Sequence, residues 1–240
     1  MFTTGGVFES IKPHEITHNL LLYMSCDRLQ EMFIGGTEST SITLEWALTE
    51  LLRNPKTMIK VKAELTKIIG PYKKLEENDV DNLHYLQAVI KETMRLHPPG
   101  PFLVPRKAIQ DVNFMGYHIP KNTQVFVNVW EIGRDPECWD DPLSFNPDRF
   151  LDSKVDFKGQ HYELIPFGAG RRMCPGIPVP QRTMPLFLGS LLHEFDWELE
   201  SQFSHEKIDM KEKLSMTLSK LEPLKAIPRK VQVSGLDFKA

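Results

Sequence analysis

Cysteine is scarce in this 240-residue chain: Cys26, Cys138 and Cys174 are three, far apart and odd in number. That spacing excludes a disulfide framework and a multi-cysteine zinc site. No run of 18 or more apolar residues occurs, so no segment reads as a bilayer span. The start, Met1 to Glu9, lacks the charged and apolar regions of a signal peptide. Neither sign of charge dominates; the formal net charge of −3 gives no electrostatic case for nucleic acid. Internal repeats and low-complexity tracts are also missing. What remains is an ordinary globular composition, 41% hydrophobic and 25% charged, at a length that permits one large domain or two small ones.

Against this background one stretch stands out, Pro166 to Ile177, reading P-F-G-A-G-R-R-M-C-P-G-I. A thiolate persists at neutral pH only where positive charge or N–H donors stabilise it. Arg171 and Arg172 precede Cys174, and Pro175 suits the first turn of a helix, which would offer free N–H groups. Gly168, Gly170 and Gly176 let backbone approach something flat and large. Such a thiolate suits the axial position of a haem iron. Chemistry alone leaves a second reading open, a reactive or buried thiol in a glycine-rich loop.

The order F-x-x-G-x-R-x-C-x-G, carried by Phe167, Gly170, Arg172, Cys174 and Gly176, resembles the haem-binding loop of the cytochrome P450 family. A second string, K-E-T-M-R-L-H-P-P, resembles that family's E-x-x-R helix. Glu92 and Arg95 are three apart and share a helix face, as a solvated surface pair would also do. The resemblance implies a buried structural triad, with Arg149 of F-N-P-D-R-F as its third member. A third string is G-G-T-E-S-T, Gly35 to Thr40. Two glycines in a long apolar helix cost about 1 kcal/mol each, so they need a reason: close packing against a neighbour, or room for a ligand. Glu38 and Ser39 then resemble the acid–alcohol pair of the P450 distal helix, which delivers protons to bound oxygen. The family usually has threonine at the second place; Thr40 is expected on another side of the helix.

The rest of the chain is read in order. Residues 1–14 are expected to be loose, and 15–240 to form the C-terminal haem-binding part of a P450 domain. Glu15 to Trp46 and its continuation through Leu51 read as helical. Within it Tyr23 to Gln30 reads as an eight-residue insertion relative to plant members, as a retained intron would leave. Pro55 to Ile69 is a helix, capped by Asn54 and stopped by Gly70. Leu83 to His97 is another. Pro101 to Arg106 reads as an apolar strand, and the resemblance makes Phe102, Leu103 and Val104 substrate-lining and Arg106 a clamp on a haem propionate. Gly116 to Pro120 and Gln124 to Val129 read as turn and strands, and Asp140 to Leu164 as irregular. The helix after Cys174 has Met184, Phe187, Leu188, Leu191, Leu192 and Phe195 as its buried stripe, with Pro185 inside it expected to kink it. Leu214, Met216 and Leu218 alternate with polar residues as a strand does, and Pro223 to Val233 closes with another.

The expected fold is therefore mainly α with small β-sheets, the C-terminal part of the P450 fold. The resemblance implies haem b on Cys174 and a monooxygenase acting on a small apolar plant metabolite, a terpenoid or alkaloid precursor. Gly35, Gly36 and Met216 would line the substrate space. Electrons would come from NADPH through cytochrome P450 reductase, docking near Arg171. The chain is expected to be a monomer without nucleic acid, from a family of the endoplasmic reticulum membrane, itself lacking the anchor. Three alternatives stand beside this: a P450 that rearranges its substrate without a reductase, a truncated haem-binding fragment without activity, and a haem-free interaction domain.

Overall fold

The computed structural model describes residues 13–199 and 208–231, with the side chains of the first helix from Met32 onward except Ile34. The loose segment expected over residues 1–14 lies almost wholly outside them. The side chains of Tyr23 to Gln30 lie outside them too, although the backbone there is helical. The chain forms two units, Met1–Glu38 and Ser39–Ala240, and the division falls within one helix.

Among the described residues the α-helices are α1 (Pro13–Arg53), α2 (Pro55–Ile69), α3 (His84–Leu96), the short α4 (Val129–Ile132) and α5 (Pro178–Glu194). None of the helices among the described residues is long and apolar enough to cross a membrane. In the second unit the stripes of α2 and α5 meet α3: Val61 and Leu65, Leu188 and Leu192, and Leu86 and Val89 are buried in one cluster. Each fully buried leucine or valine contributes about 1.5–3 kcal/mol. Phe187, expected in the α5 stripe, is instead 52% exposed. It lies one step of about 100° from Leu188, beyond the edge of the core-facing stripe. Pro185 is buried within α5, and the helix continues across it to Glu194.

Helix ends show how side chains serve neighbouring elements. The Glu64 carboxylate of α2 accepts the backbone N–H groups of Tyr85 and Leu86 at 2.7 and 2.9 Å. It thereby satisfies free donors in the first turn of α3. Asn54 makes no cap for α2; its side-chain amide donates back to the Glu50 carbonyl at 2.8 Å.

Among the described residues the sheets are four antiparallel pairs, none larger than two strands. β1 (Arg106–Lys107) pairs with β4 (Gln124–Val125), and β2 (Val112–Phe114) with β3 (Tyr117–Ile119). β5 (Phe195–Leu199) pairs with β8 (Ala226–Lys230), and β6 (Glu212–Leu214) with β7 (Leu218–Lys220). Two expected strands change form. Pro101 to Arg106 is a turn joining the ladder only at Arg106, because Pro101 and Pro105 lack N–H donors and Leu103 has φ +52. The alternating stretch 214–218 is a hairpin, with Ser215 N–H donating to the Thr217 carbonyl at 2.9 Å and Met216 at the tip. Val129, expected at a strand end, opens α4, where Asn128 accepts the Glu131 N–H.

Candidate functional site

Backbone geometry shapes the cysteine loop. Gly168 and Gly170 have φ of +75 and +68, conformations that side-chain-bearing residues rarely adopt. These reversals let the Cys174 N–H donate to the Phe167 carbonyl at 2.9 Å, and the Met173 N–H to that of Gly170 at 3.1 Å. Gly176 serves another need: a Cβ there would sit 3.6 Å from Cys174 Sγ, so the backbone passes close under the sulfur. Phe167 anchors the loop, its ring 5.4 Å from that of Phe157 at an angle of 56°. The helix that follows begins at Pro178 with Ile177 as its cap. Cys174 and Pro175 thus precede the first turn rather than occupying it. Prolines at 175, 178 and 180 have no backbone N–H, so the earliest unbroken N–H run lies further along than Pro175 alone suggests.

Cys174 is exposed, and it forms part of a cavity of about 470 Å³ lying wholly within the second unit. The opposite contributors on α1 are Ser39, Thr40 and Thr43. Ser39 and Thr40 both reach the cavity, because a broad opening spans the roughly 100° between consecutive helical residues; Thr40 was expected on another side. Thr43 donates its hydroxyl to the Ser39 carbonyl at 2.9 Å, a bond that ties up its own proton. Leu103, Val104 and Met216 give apolar surface, and Arg106 and Arg172 give positive charge. Phe167 and Gly168 complete the cysteine side. The lining is mostly apolar with a few convergent polar groups, and the volume falls in the range of small-molecule and cofactor sites, about 300–1,000 Å³.

Some expected residues stand elsewhere. Phe102 does not line this cavity; its ring packs edge-on against Phe126, 6.3 Å away at 79°. The left-handed turn at Leu103 explains this, since it sends neighbouring side chains to different sides. Gly170 and Gly176 shape the loop without lining the cavity. Gly35, Gly36 and Glu38 belong to the first unit and are exposed on α1; the Thr37 hydroxyl among them donates to the Phe33 carbonyl at 2.6 Å. Met94, Pro99 and Met184 line the cavity and were not anticipated. Met94 could have been found, as it lies in the E-x-x-R helix one position before Arg95; nothing in the local sequence marks Pro99 or Met184.

The helix α3 carries a buried ion cluster. Glu92 and Arg95 have fully buried side chains, and Arg95 pairs with both carboxylate oxygens, Nε to Oε2 at 2.7 Å and Nη2 to Oε1 at 2.8 Å. Arg149 Nε adds a third bond to Glu92 Oε1 at 3.1 Å, and the Asn146 N–H a fourth at 2.8 Å. The remaining Arg95 donors reach the carbonyls of Gly133, Pro142 and Ser144. The Trp139 ring faces both guanidinium groups, 5.2 Å from Arg95 and 5.8 Å from Arg149. Full satisfaction of this kind makes burial of three charges tolerable.

A haem fits the residues present. A thiol stands in a largely apolar cavity, two arginines stand at it with fork-shaped donors suited to carboxylates, and glycine leaves the sulfur accessible. Among the described residues no cluster of histidine, cysteine and acidic groups competes as a metal site.

Comparison with known proteins agrees with this chemistry. The family profile described as Cytochrome P450 matches residues 27–225. Cytochrome P450 76A1 of Solanum melongena is 64% identical over 200 residues, a match covering 83% of this chain and 43% of that protein. Iridoid oxidase of Catharanthus roseus is 54% identical, covering 84% and 39%, and geraniol 8-hydroxylase of the same plant is 51% identical, covering 90% and 43%. A solved zebrafish cytochrome P450 with abiraterone superposes with a TM-score of 0.73 at 36% identity, covering 83% of this chain and 46% of that one. The chain spans less than half the length of the curated relatives it matches. Mainly helical, with two-stranded sheets and a cysteine loop of this sequence, the chain belongs to the cytochrome P450 family.

Proposed function

We propose that residues 15–240 are the haem-binding part of a P450 monooxygenase domain, with the Cys174 thiolate as the iron ligand. The observation that carries this is the one cavity into which Cys174, Arg106, Arg172 and Ser39 all open. Haem, when bound, supplies the oxygen-activating chemistry, helped by electron donation from a thiolate. The chain's residues do the rest. Phe167, Gly170 and Gly176 fix the loop so that Sγ faces the cavity. Arg106 and Arg172, which line the cavity, would hold the haem carboxylates, for which guanidinium is suited. Ser39 holds a proton at its hydroxyl oxygen, and Glu38, its neighbour in sequence, is the acid that resupplies it. Serine lacks the methyl that restricts a threonine rotamer, so this hydroxyl samples more orientations. Leu103, Val104 and Met216 exclude water and favour an apolar substrate. Glu92, Arg95 and Arg149 brace the cysteine side.

The reaction is insertion of one oxygen atom of O₂ into a C–H bond. The second atom leaves as water, with two electrons from NADPH through a reductase and two protons. A reductase would meet the basic loop around Arg171 and Arg172. The relatives named for geraniol and iridoids support a small terpenoid as the substrate class. A second reading has one specific observation behind it: matches cover only 39–43% of the relatives. In that reading the chain binds haem and turns over nothing unless the remainder is supplied. Haem titration followed by NADPH- and reductase-dependent oxidation of geraniol decides between them. Haem binding lost in Cys174→Ser, with turnover in the wild type, is the expected result. Haem binding unchanged in Cys174→Ser overturns both readings.

A further inference from the structure

The mechanism above leaves unused the most densely connected buried titratable group in the second unit. His97, the residue ending α3, is 6% exposed and lies between two carboxylates. Its Nε2 is 2.8 Å from Glu50 Oε1 on α1, and its Nδ1 is 3.2 Å from Glu212 Oε1 on β6. A neutral imidazole has one N–H and can donate to only one of these; imidazolium donates to both. Its place at a helix C-terminus also favours positive charge. The Trp46 ring stacks on the imidazole, 3.9 Å away with planes 1° apart, and Lys220 Nζ of β7 lies 4.6 Å from the same indole.

Glu212 is the hub on the hairpin side. Its other oxygen accepts the Trp130 indole N–H at 3.0 Å, and Arg134 approaches at 3.8 Å while covering the Trp130 ring. Burial pushes the Glu212 carboxyl up, but the bonds from His97 and Trp130 and the charges of His97 and Arg134 outweigh it and hold it below the usual carboxylate range. The hairpin β6–β7 carries at its turn Met216 and Thr217, both lining the cavity. A single backbone bond, Leu218 N–H to the Pro99 carbonyl at 2.8 Å, ties the same hairpin to the residues after α3.

We propose that His97, bridging the carboxylates of Glu50 and Glu212, is a positioning residue that clamps the β6–β7 hairpin and thereby sets where Met216 and Thr217 meet the substrate. The inference rests on the reading above only in taking the cavity as the substrate site. The clamp itself is a property of these side chains. Charge-assisted hydrogen bonds are about twice as strong as neutral ones, so losing one of two should change hairpin opening much more than it changes the helices. The charged groups facing the pair are Glu50 from α1, Arg134 after α4 and Lys220 from β7, the last influenced by Glu45 and Asp209.

The test is amide hydrogen exchange of the haem-loaded chain, wild type against His97→Gln and Glu212→Gln, corrected for intrinsic rates. In both variants residues 212–220 are expected to exchange about tenfold faster or more, with α2 unchanged. Apparent affinity for geraniol, used as the probe and read by the haem absorption change, falls in parallel. Equal hairpin protection in all three proteins overturns the proposal. So does uniform acceleration of α2, α3 and hairpin together, which marks a merely structural histidine. If the wild type shows no thiolate-ligated haem, the monooxygenase reading fails, and exchange in the haem-free chain still decides the clamp.

Discussion

The cysteine side and the hairpin side of the cavity are held by different physics. On the first, Glu92 receives four bonds from Arg95, Arg149 and Asn146, within reach of the core of α2, α3 and α5. On the second, β6 and β7 are three residues each and pair only with one another among the described residues, with Met216 at the turn 85% exposed. A two-stranded hairpin is marginal alone in water, so the hairpin side depends on side-chain ties such as His97 to Glu212. The difference teaches a division of labour. The helix α3 is held by burial and charge satisfaction, and the β6–β7 hairpin by a few side-chain and backbone ties.

The comparison breaks most sharply at Glu92. Glu92→Gln strips a buried carboxylate from two arginines and should cost about 3–5 kcal/mol, read by urea denaturation. A loss under 1 kcal/mol would mean that the cluster does not brace the cysteine side. Leu188→Ala removes a fully buried side chain from α5 and should cost about 2–5 kcal/mol. A truncation there that matched a surface change would place the core elsewhere. The acid limb comes next. Because the folded Glu212 carboxyl titrates below its ordinary value, its stabilisation is complete above the ordinary carboxylate range and is lost as pH falls through the lowered one. Hairpin protection should therefore decline in acid in the wild type and stay flat in Glu212→Gln. At the small end, Phe114→Ser on β2, 62% exposed, should change stability by less than about 0.5 kcal/mol.

Much of this was legible in the sequence where periodicity or a dense motif spoke. The α2 stripe, the α3 stripe and the Phe167–Gly176 string need only local spacing to be read, and Glu92 with Arg95 follows from a three-residue step. The partners of those residues were less legible. Nothing near Glu64 in sequence announces that it caps α3, and His97 reads as one letter of a motif until Glu50 and Glu212 meet it from 47 and 115 residues away. Phe102 misled because an apolar run between prolines looks extended, while the positive φ at Leu103 turns the chain. The hairpin at 214–218 misled because alternation persists through a turn. Ser39 and Thr40 together on the cavity wall follow from its width, which no local pattern encodes.

The most direct test of the Cys174 assignment is iron K-edge X-ray absorption on the haem-loaded chain. We expect a sulfur neighbour of the iron in the wild type and its replacement by a lighter atom in Cys174→Ser. Four porphyrin nitrogens with only nitrogen or oxygen axial neighbours in the wild type would contradict the account.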